Sequence, residues 1–238
     1  MKKIFVISIL ILPVFYLSCV FDMKPVITGN RNVVTETREI EDFENLEVST
    51  GLNVYITFGG DVSLKVEADQ NLHEVIKTEC ENGHLKVFTD ANIRKAKAKN
   101  IILTVPFLSS IEASTAGSVM AKNLLKTDEI EIEVSSAARM DLQVEVKRLI
   151  IEVSSAGKAI LSGIAEDVNA EVSSAGEIKA FELISQSCSV NVSSAGHASF
   201  TAEQKLNAEA SSAGSISYKG DPQDKNIEKS SGGSVTKK

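Results

Sequence analysis

One phrase, Ser-Ser-Ala-Gly, returns through the second half of this 238-residue chain at a nearly constant interval. Its versions end at Gly117, Ala138, Gly157, Gly176, Gly196, Gly214 and Gly233, giving spacings of 21, 19, 19, 20, 18 and 19 residues. Self-similarity at this period marks stacked supersecondary units, each burying its apolar side only against its neighbours. The chain is thereby constrained to be a solenoid, and its function is to be sought on repeated surface ladders.

The repeat from Leu149 to Asp167 alternates with the two-residue period of a strand. Leu149, Ile151, Val153 and Ser155 are expected on the inner side, with Ile150, Glu152 and Ser154 outside. Ala156-Gly157 is expected to turn the corner, with the glycine free to take a positive φ. The columns hold along the chain. Six residues before the repeat position stand Ile111, Ile132, Ile151, Ala170, Val190, Ala208 and Ile227. Four before it stand Ala113, Val134, Val153, Val172, Val192, Ala210 and, against the rule, Lys229. Strands that recur one coil apart run parallel, and no segment of the repeat suits a helical crossover. The predicted fold is all-β: a single-stranded parallel β-helix of about 19–20 residues per coil, flattened into two facing sheets, behind an irregular β-rich N-terminal part. Lys229, Gly232-Gly233 and Lys237-Lys238 suggest a last coil that blunts the exposed sheet edge.

The N-terminus reads differently. Lys2 and Lys3 precede the apolar run Ile4–Leu12, which continues past Pro13 to Leu17 and ends at Ser18-Cys19. A short positive head, an apolar stretch and a small residue describe an export leader over residues 1–18 better than a membrane span. Ser18-Cys19 resembles the lipobox of bacterial lipoproteins, with Tyr16 where leucine is usual, which makes Cys19 the candidate lipidation site and implies a membrane partner through that anchor. Residues 19–33 read as a tether, 34–110 as the irregular part, and 111–238 as the regular helix with its cap. The full chain carries −7 and loses two lysines with the leader, so phosphate-rich nucleic acid is not an expected partner. The basic run at Arg94, Lys95, Lys97 and Lys99 reads as a solvated loop. Cys188 falls in a column otherwise apolar and is expected as a buried free thiol.

Before the repeats, Val48-Ser-Thr-Gly51 is a degenerate corner between two strands, and Asn82-Gly83 signals a tight hairpin. Between them, Asp69 is expected to cap one or two helical turns through Leu72, Val75 and Ile76. The run F-E-N-L-E-V-S-T-G-L-N-V-Y-I, the later N-L-H-E-V-I, the E-N-G-H-L-K-V-F hairpin and the Ser/Ala/Gly repeats together resemble the bacterial head GIN domain family of adhesin-like proteins. The resemblance covers residues 38–238. It implies an exported, often lipid-anchored β-helix, related in shape to pectin lyases but without a recognised catalytic apparatus.

Glu112, Glu133, Glu152, Glu171, Asn191, Glu209 and Glu228 form one outer column, and the first serine of each phrase stands beside it. Stacked carboxylates raise one another's pKa, and a cation ladder through Glu133, Glu152 and Glu171 is conceivable. A solvated face is the plainer reading, so no metal site is assigned. The strip of Glu152, Ser154, Glu171, Ser173, Glu209 and Ser211 is the candidate binding face, for a glycan or an envelope protein. No catalytic residues are assigned, because charge is spread by the repeat and His73, His84 and His197 stand alone. No cofactor is expected. The sequence points to a non-enzymatic cell-envelope lipoprotein, expected in the outer membrane, serving as an adhesive or ligand-binding module. An assembly role, including self-association, is the alternative, and a carbohydrate-active enzyme on a pectin-lyase-like fold comes third.

Overall fold

In a computed structural model, residues 24–238 are described. The leader and Cys19 lie outside them. Among the described residues strands are the dominant regular structure, joined by tight turns and short loops, with one 3-10 turn at Gln70–Leu72. No described helix is long and apolar enough to cross a membrane.

The regular coils are built from β12 (Leu125–Val134), β13 (Arg139–Val153), β14 (Lys158–Val172), β15 (Glu177–Val192) and β16 (His197–Ala210), each paired in parallel with the next. The final coil is β17 (Ser215–Lys219), β18 (Asp224–Lys229) and β19 (Ser234–Lys237). The expected inner columns are buried in a single core, from Ile111 and Ala113 through Ile151 and Val153 to Ala208 and Ala210. Strands β13 to β16 each run from corner to corner, and the coil bends where two successive residues face outward, as at Lys147 and Arg148. Keeping the strand continuous leaves every backbone group paired with the neighbouring coils, which a loop would not.

At the corner, Ser155 and Ala156 both adopt positive φ, 48° and 60°, and the same holds at each Ser-Ala pair from Thr115-Ala116 to Ser212-Ala213. The Gly157 amide donates to the Ser154 carbonyl at 2.7 Å, closing a tight turn of the mirror-image type I kind. Two sequence expectations are therefore corrected. The glycine is not the residue with positive φ; a Cβ on it would sit 2.4 Å from the carbonyl oxygen of Val134 in the preceding coil. Nor does Ser155 face inward, since the turn throws it into solvent while Ser154 is half-buried. Left-handed backbone costs an L-residue about 1–2 kcal/mol. It is held here by a ladder of backbone bonds, such as Ala137 N to Ser155 O and Ala156 N to Ser174 O, both at 3.0 Å.

The N-terminal part is an interrupted solenoid. Strands β3 (Asn45–Val48) and β4 (Asn53–Phe58) form a coil that pairs in parallel with β10 (Ser110–Ala113) and β11 (Ser118–Ala121) on one side. On the other side they pair with β7 (His84–Thr89) and β9 (Lys99–Val105), which come later in the chain. The second coil is thus made first, and the chain turns back to build the outermost one. Antiparallel strands β2 (Val33–Arg38), β5 (Ser63–Asp69) and β6 (Ile76–Glu81) then close that end. The Asn82-Gly83 hairpin is found between β6 and β7.

The helical expectation shrinks to one turn, and Asp69 does not cap it with its side chain. Its fully buried carboxylate instead accepts the amides of Arg31, Lys97 and Ala98 at 3.0–3.2 Å. Burial pushes this carboxyl up, but those three amides and the Lys97 charge outweigh it and hold it below the usual carboxylate range. The expected 19–33 tether is shortened as well. Strand β1 (Val26–Thr28), inside that span, pairs with β8 (Asn92–Lys95). The basic run is correspondingly part strand.

At the far end, Lys229 occupies the inner column and its Nζ donates to the Val235 carbonyl at 2.9 Å. Its stem crosses the open core, as an edge-blunting residue should.

Candidate functional site

The glutamate column is a true ladder. Glu112, Glu133, Glu152 and Glu171 are successive register partners, followed by Asn191, Glu209 and Glu228. It also extends upstream, where Glu112 pairs with Glu47 and Glu47 with Lys86. That continuation was not read from the sequence, because the order of coils there is not the order of the chain. Lys86 Nζ lies 3.0 Å from Glu47, and His84 Nε2 3.4 Å from the same carboxylate. One end of the ladder is thereby neutralised.

Along the rest, Glu133, Glu152, Glu171 and Glu209 are exposed and form no ion pair among the described residues. Glu112 is half-buried. Burial, then the charges of Glu47 and Glu133, raise its pKa against the opposing pull of His84 and Lys86. Among the described residues no group of three or more His, Cys, Asp or Glu side chains is placed to hold a metal ion. The Glu133–Glu152–Glu171 ladder is thus continuous in register without converging on a point.

Ser154, Ser173 and Ser211 stand half-buried beside the column. Their carbonyls close the corner turns by accepting from Gly157, Gly176 and Gly214 at 2.7–2.8 Å. Alternation brings all six predicted face residues to one side of the rod. A shallow hollow of about 200 Å³ lies over Glu131, Glu133, Ile150, Glu152, Asn169 and Glu171.

Charge elsewhere is arranged otherwise. At the bend, acid and base alternate from coil to coil: Lys147 meets Asp128 at 2.8 Å, Arg148 meets Glu129 at 3.8 Å, and Lys126 meets Glu145 at 2.8 Å. On the post-corner face Lys158 reaches Glu177 at 2.7 Å, which holds the Glu177 carboxyl below its usual range. The glutamate strip, by contrast, stacks like with like through Glu112, Glu133, Glu152 and Glu171.

A larger hollow, about 490 Å³, lies on that post-corner face and was missed in the sequence. It is lined by Ile160, Lys179, Phe181, Glu182, His197 and Ser199 among others. It forms where register slips between Ile160 and Ser162 and again between Ala180 and Ile184. The slip turns Phe181 out of the core, under the ammonium of Lys219 at 4.6 Å. The uneven spacings of 20 and 18 residues around Gly196 were its signal.

Cys80 and Cys188 are both free, and Cys188 is buried as expected. Burial pushes its thiol up to about 12.

No curated protein matches the chain. Solved structures do. A protein described as a "putative adhesin" from Bacteroides fragilis is 24% identical with a TM-score of 0.80, covering 89% of this chain and 100% of that one. A "putative lipid binding protein" from Parabacteroides distasonis is 24% identical with a TM-score of 0.74, covering 90% and 99%. A "putative adhesin" from Parabacteroides merdae is 21% identical with a TM-score of 0.71, covering 90% and 99%. At these identities the likeness establishes the fold. The family model described as "Putative auto-transporter adhesin, head GIN domain" matches residues 42–222, most of the solenoid and its N-terminal cap together, and the chain belongs to that family.

Proposed function

We propose that this protein is a non-enzymatic envelope lipoprotein, anchored through Cys19 in the outer membrane, whose solenoid is an adhesive or ligand-binding module. The observation that carries the reading is the contrast in charge arrangement. Like charges in register cost stability, and the bend of the same coils shows that this chain can alternate acid with base. A strip of unneutralised carboxylates beside half-buried serines suits a partner that brings cations or hydrogen-bond donors, such as an amine-bearing glycan or a basic segment of an envelope protein. The family's description as adhesin-like supports the same reading.

The test is retention of the purified mature chain on glycan arrays and on envelope extracts, compared with a Glu152→Gln, Glu171→Gln, Glu209→Gln variant. Retention is expected to fall on the order of a hundredfold, at roughly 1 kcal/mol for each of the three lost contacts, while thermal stability is unchanged or raised. Undiminished retention would remove the strip as the binding face. Turnover of a polyuronate by the wild type would overturn the non-enzymatic reading. An assembly role would appear instead as enrichment of one envelope complex with no glycan binding.

A further inference from the structure

The rod's N-terminal end carries a basic surface that the acidic strip does not account for. In the outermost coil, residues 90–98 replace the tight corner, and their strand β8 pairs with β1 to make a separate two-stranded ribbon. Arg94 and Lys95 are exposed on it, Lys97 is exposed just past its end, and Arg31 is exposed across the loop closed by the Gly29 N to Lys95 O bond of 2.7 Å. None of these four forms an ion pair among the described residues. In a chain of net charge −7 this is a local reversal of sign. A hollow of about 490 Å³ lies between Thr28, Gly29, Arg31, Lys95, Ala96 and Lys97. Beside it Val26 is 67% exposed, the most exposed large apolar side chain among the described residues.

The position of this ribbon says what it faces. Described structure begins at Lys24, whose Nζ is held by the Thr89 carbonyl at 3.0 Å. Lys24 is five positions on from Cys19, a span of at most about 18 Å when fully extended. We infer that the β1–β8 ribbon is a membrane-docking surface, binding the anionic headgroups of the phospholipid bilayer in which the protein is anchored. The inference rests on the reading of Cys19 as the lipidation site. A juxtaposed basic patch adds an electrostatic contact to the lipid anchor and fixes which end of the domain lies on the bilayer. Unpaired cations, an exposed valine and a short link to the lipid are the three elements such a surface needs. With this end on the bilayer, the open end closed by Lys229 points away from it.

The test is co-sedimentation of the chain from residue 19 onward, made without leader or lipid, with phosphatidylcholine vesicles and with vesicles of phosphatidylcholine mixed with phosphatidylglycerol. Binding is expected only to the anionic vesicles and should weaken as salt rises above physiological strength. Each basic residue near such a surface contributes roughly fivefold, so Arg94→Gln, Lys95→Gln, Lys97→Gln together should weaken binding on the order of a hundredfold. The control variant Lys225→Gln, Lys237→Gln, Lys238→Gln, at the opposite end, should bind as the wild type. Equal binding to both vesicle types, or a loss as large in the control as in the ribbon variant, would overturn the proposal. Mass spectrometry of the mature N-terminus tests the anchor independently: vesicle binding without acylation would leave the docking surface standing and remove the anchor.

Discussion

Glycine and alanine should have opposite effects at two adjacent positions of one corner. At Gly157 the φ is ordinary and the constraint is contact: an added Cβ would lie 2.4 Å from the Val134 carbonyl oxygen, 2.8 Å from its carbon and 2.9 Å from the Ser154 oxygen. All three are backbone atoms that cannot swing aside, so the coils must part. Overpacking of this kind costs about 1–3 kcal/mol, and reduced freedom of the unfolded chain returns about 0.5–1 kcal/mol. Gly157→Ala is thus expected to destabilise by about 1–2 kcal/mol, a fall of roughly 2–8 °C in midpoint for a domain of this size.

At Ala156 the φ is 60° and the side chain is exposed. Ala156→Gly removes about 1–2 kcal/mol of left-handed strain and adds about 0.5–1 kcal/mol of chain entropy, for a small net gain. Ala138 completes the comparison, because there the protein itself carries the methyl, fully buried. Ala138→Gly should lose about 0.8 kcal/mol of burial plus the entropy term. With no Trp in the chain, far-UV circular dichroism in urea is the natural assay. A destabilised Ala156→Gly beside an unaffected Gly157→Ala would refute the assignment of strain to the alanine and contact to the glycine.

Asp69 is a carboxylate held below its usual range, so its contribution is present above about pH 4 and is lost as pH falls through its lowered folded value. Asp69→Asn should flatten that acid limb and speed amide exchange at Arg31, Lys97 and Ala98. Phe200 is fully buried in β16, and Phe200→Ala should cost about 3–5 kcal/mol in urea denaturation. Lys229→Val restores the apolar inner column at the open end; stronger concentration-dependent association than the wild type's is expected in size-exclusion chromatography. Cys188, its thiol raised from 9.0 to about 12, favours folding while neutral. Its contribution declines as pH climbs from about 9 towards 12, and it should resist alkylation until the protein is unfolded.

Legibility followed locality. Ile151, Val153 and Ala159 could be placed inside from alternation alone, and Glu152 and Glu171 outside on the same face, because each coil repeats its neighbour's register. The Asn82-Gly83 hairpin was equally local. Glu47 and Lys86 were not recognised as part of the glutamate ladder, since their pairing joins segments that come in the opposite order along the chain. Phe181 was missed because a one-residue slip moves a side chain from the inner to the outer face. Its trace in the spacings around Gly196 is legible only once the hollow is known. Asp69 looked like a cap because its neighbours could form a helical turn. Its true partners, at residues 31, 97 and 98, are adjacent only in three dimensions.

The sequence by itself determined that this protein is a parallel β-solenoid of about twenty residues per coil, which columns are buried and where the corners fall. Period and alternation suffice for that, since each unit meets only copies of itself. The tertiary structure decided the rest: which corner residue bears the strain, the reversed order of the first coils, and the antiparallel cap over them. It also decided the gathering of Arg31, Arg94, Lys95 and Lys97 at one end of the rod. Those features depend on pairings between distant segments, and no repeat encodes them.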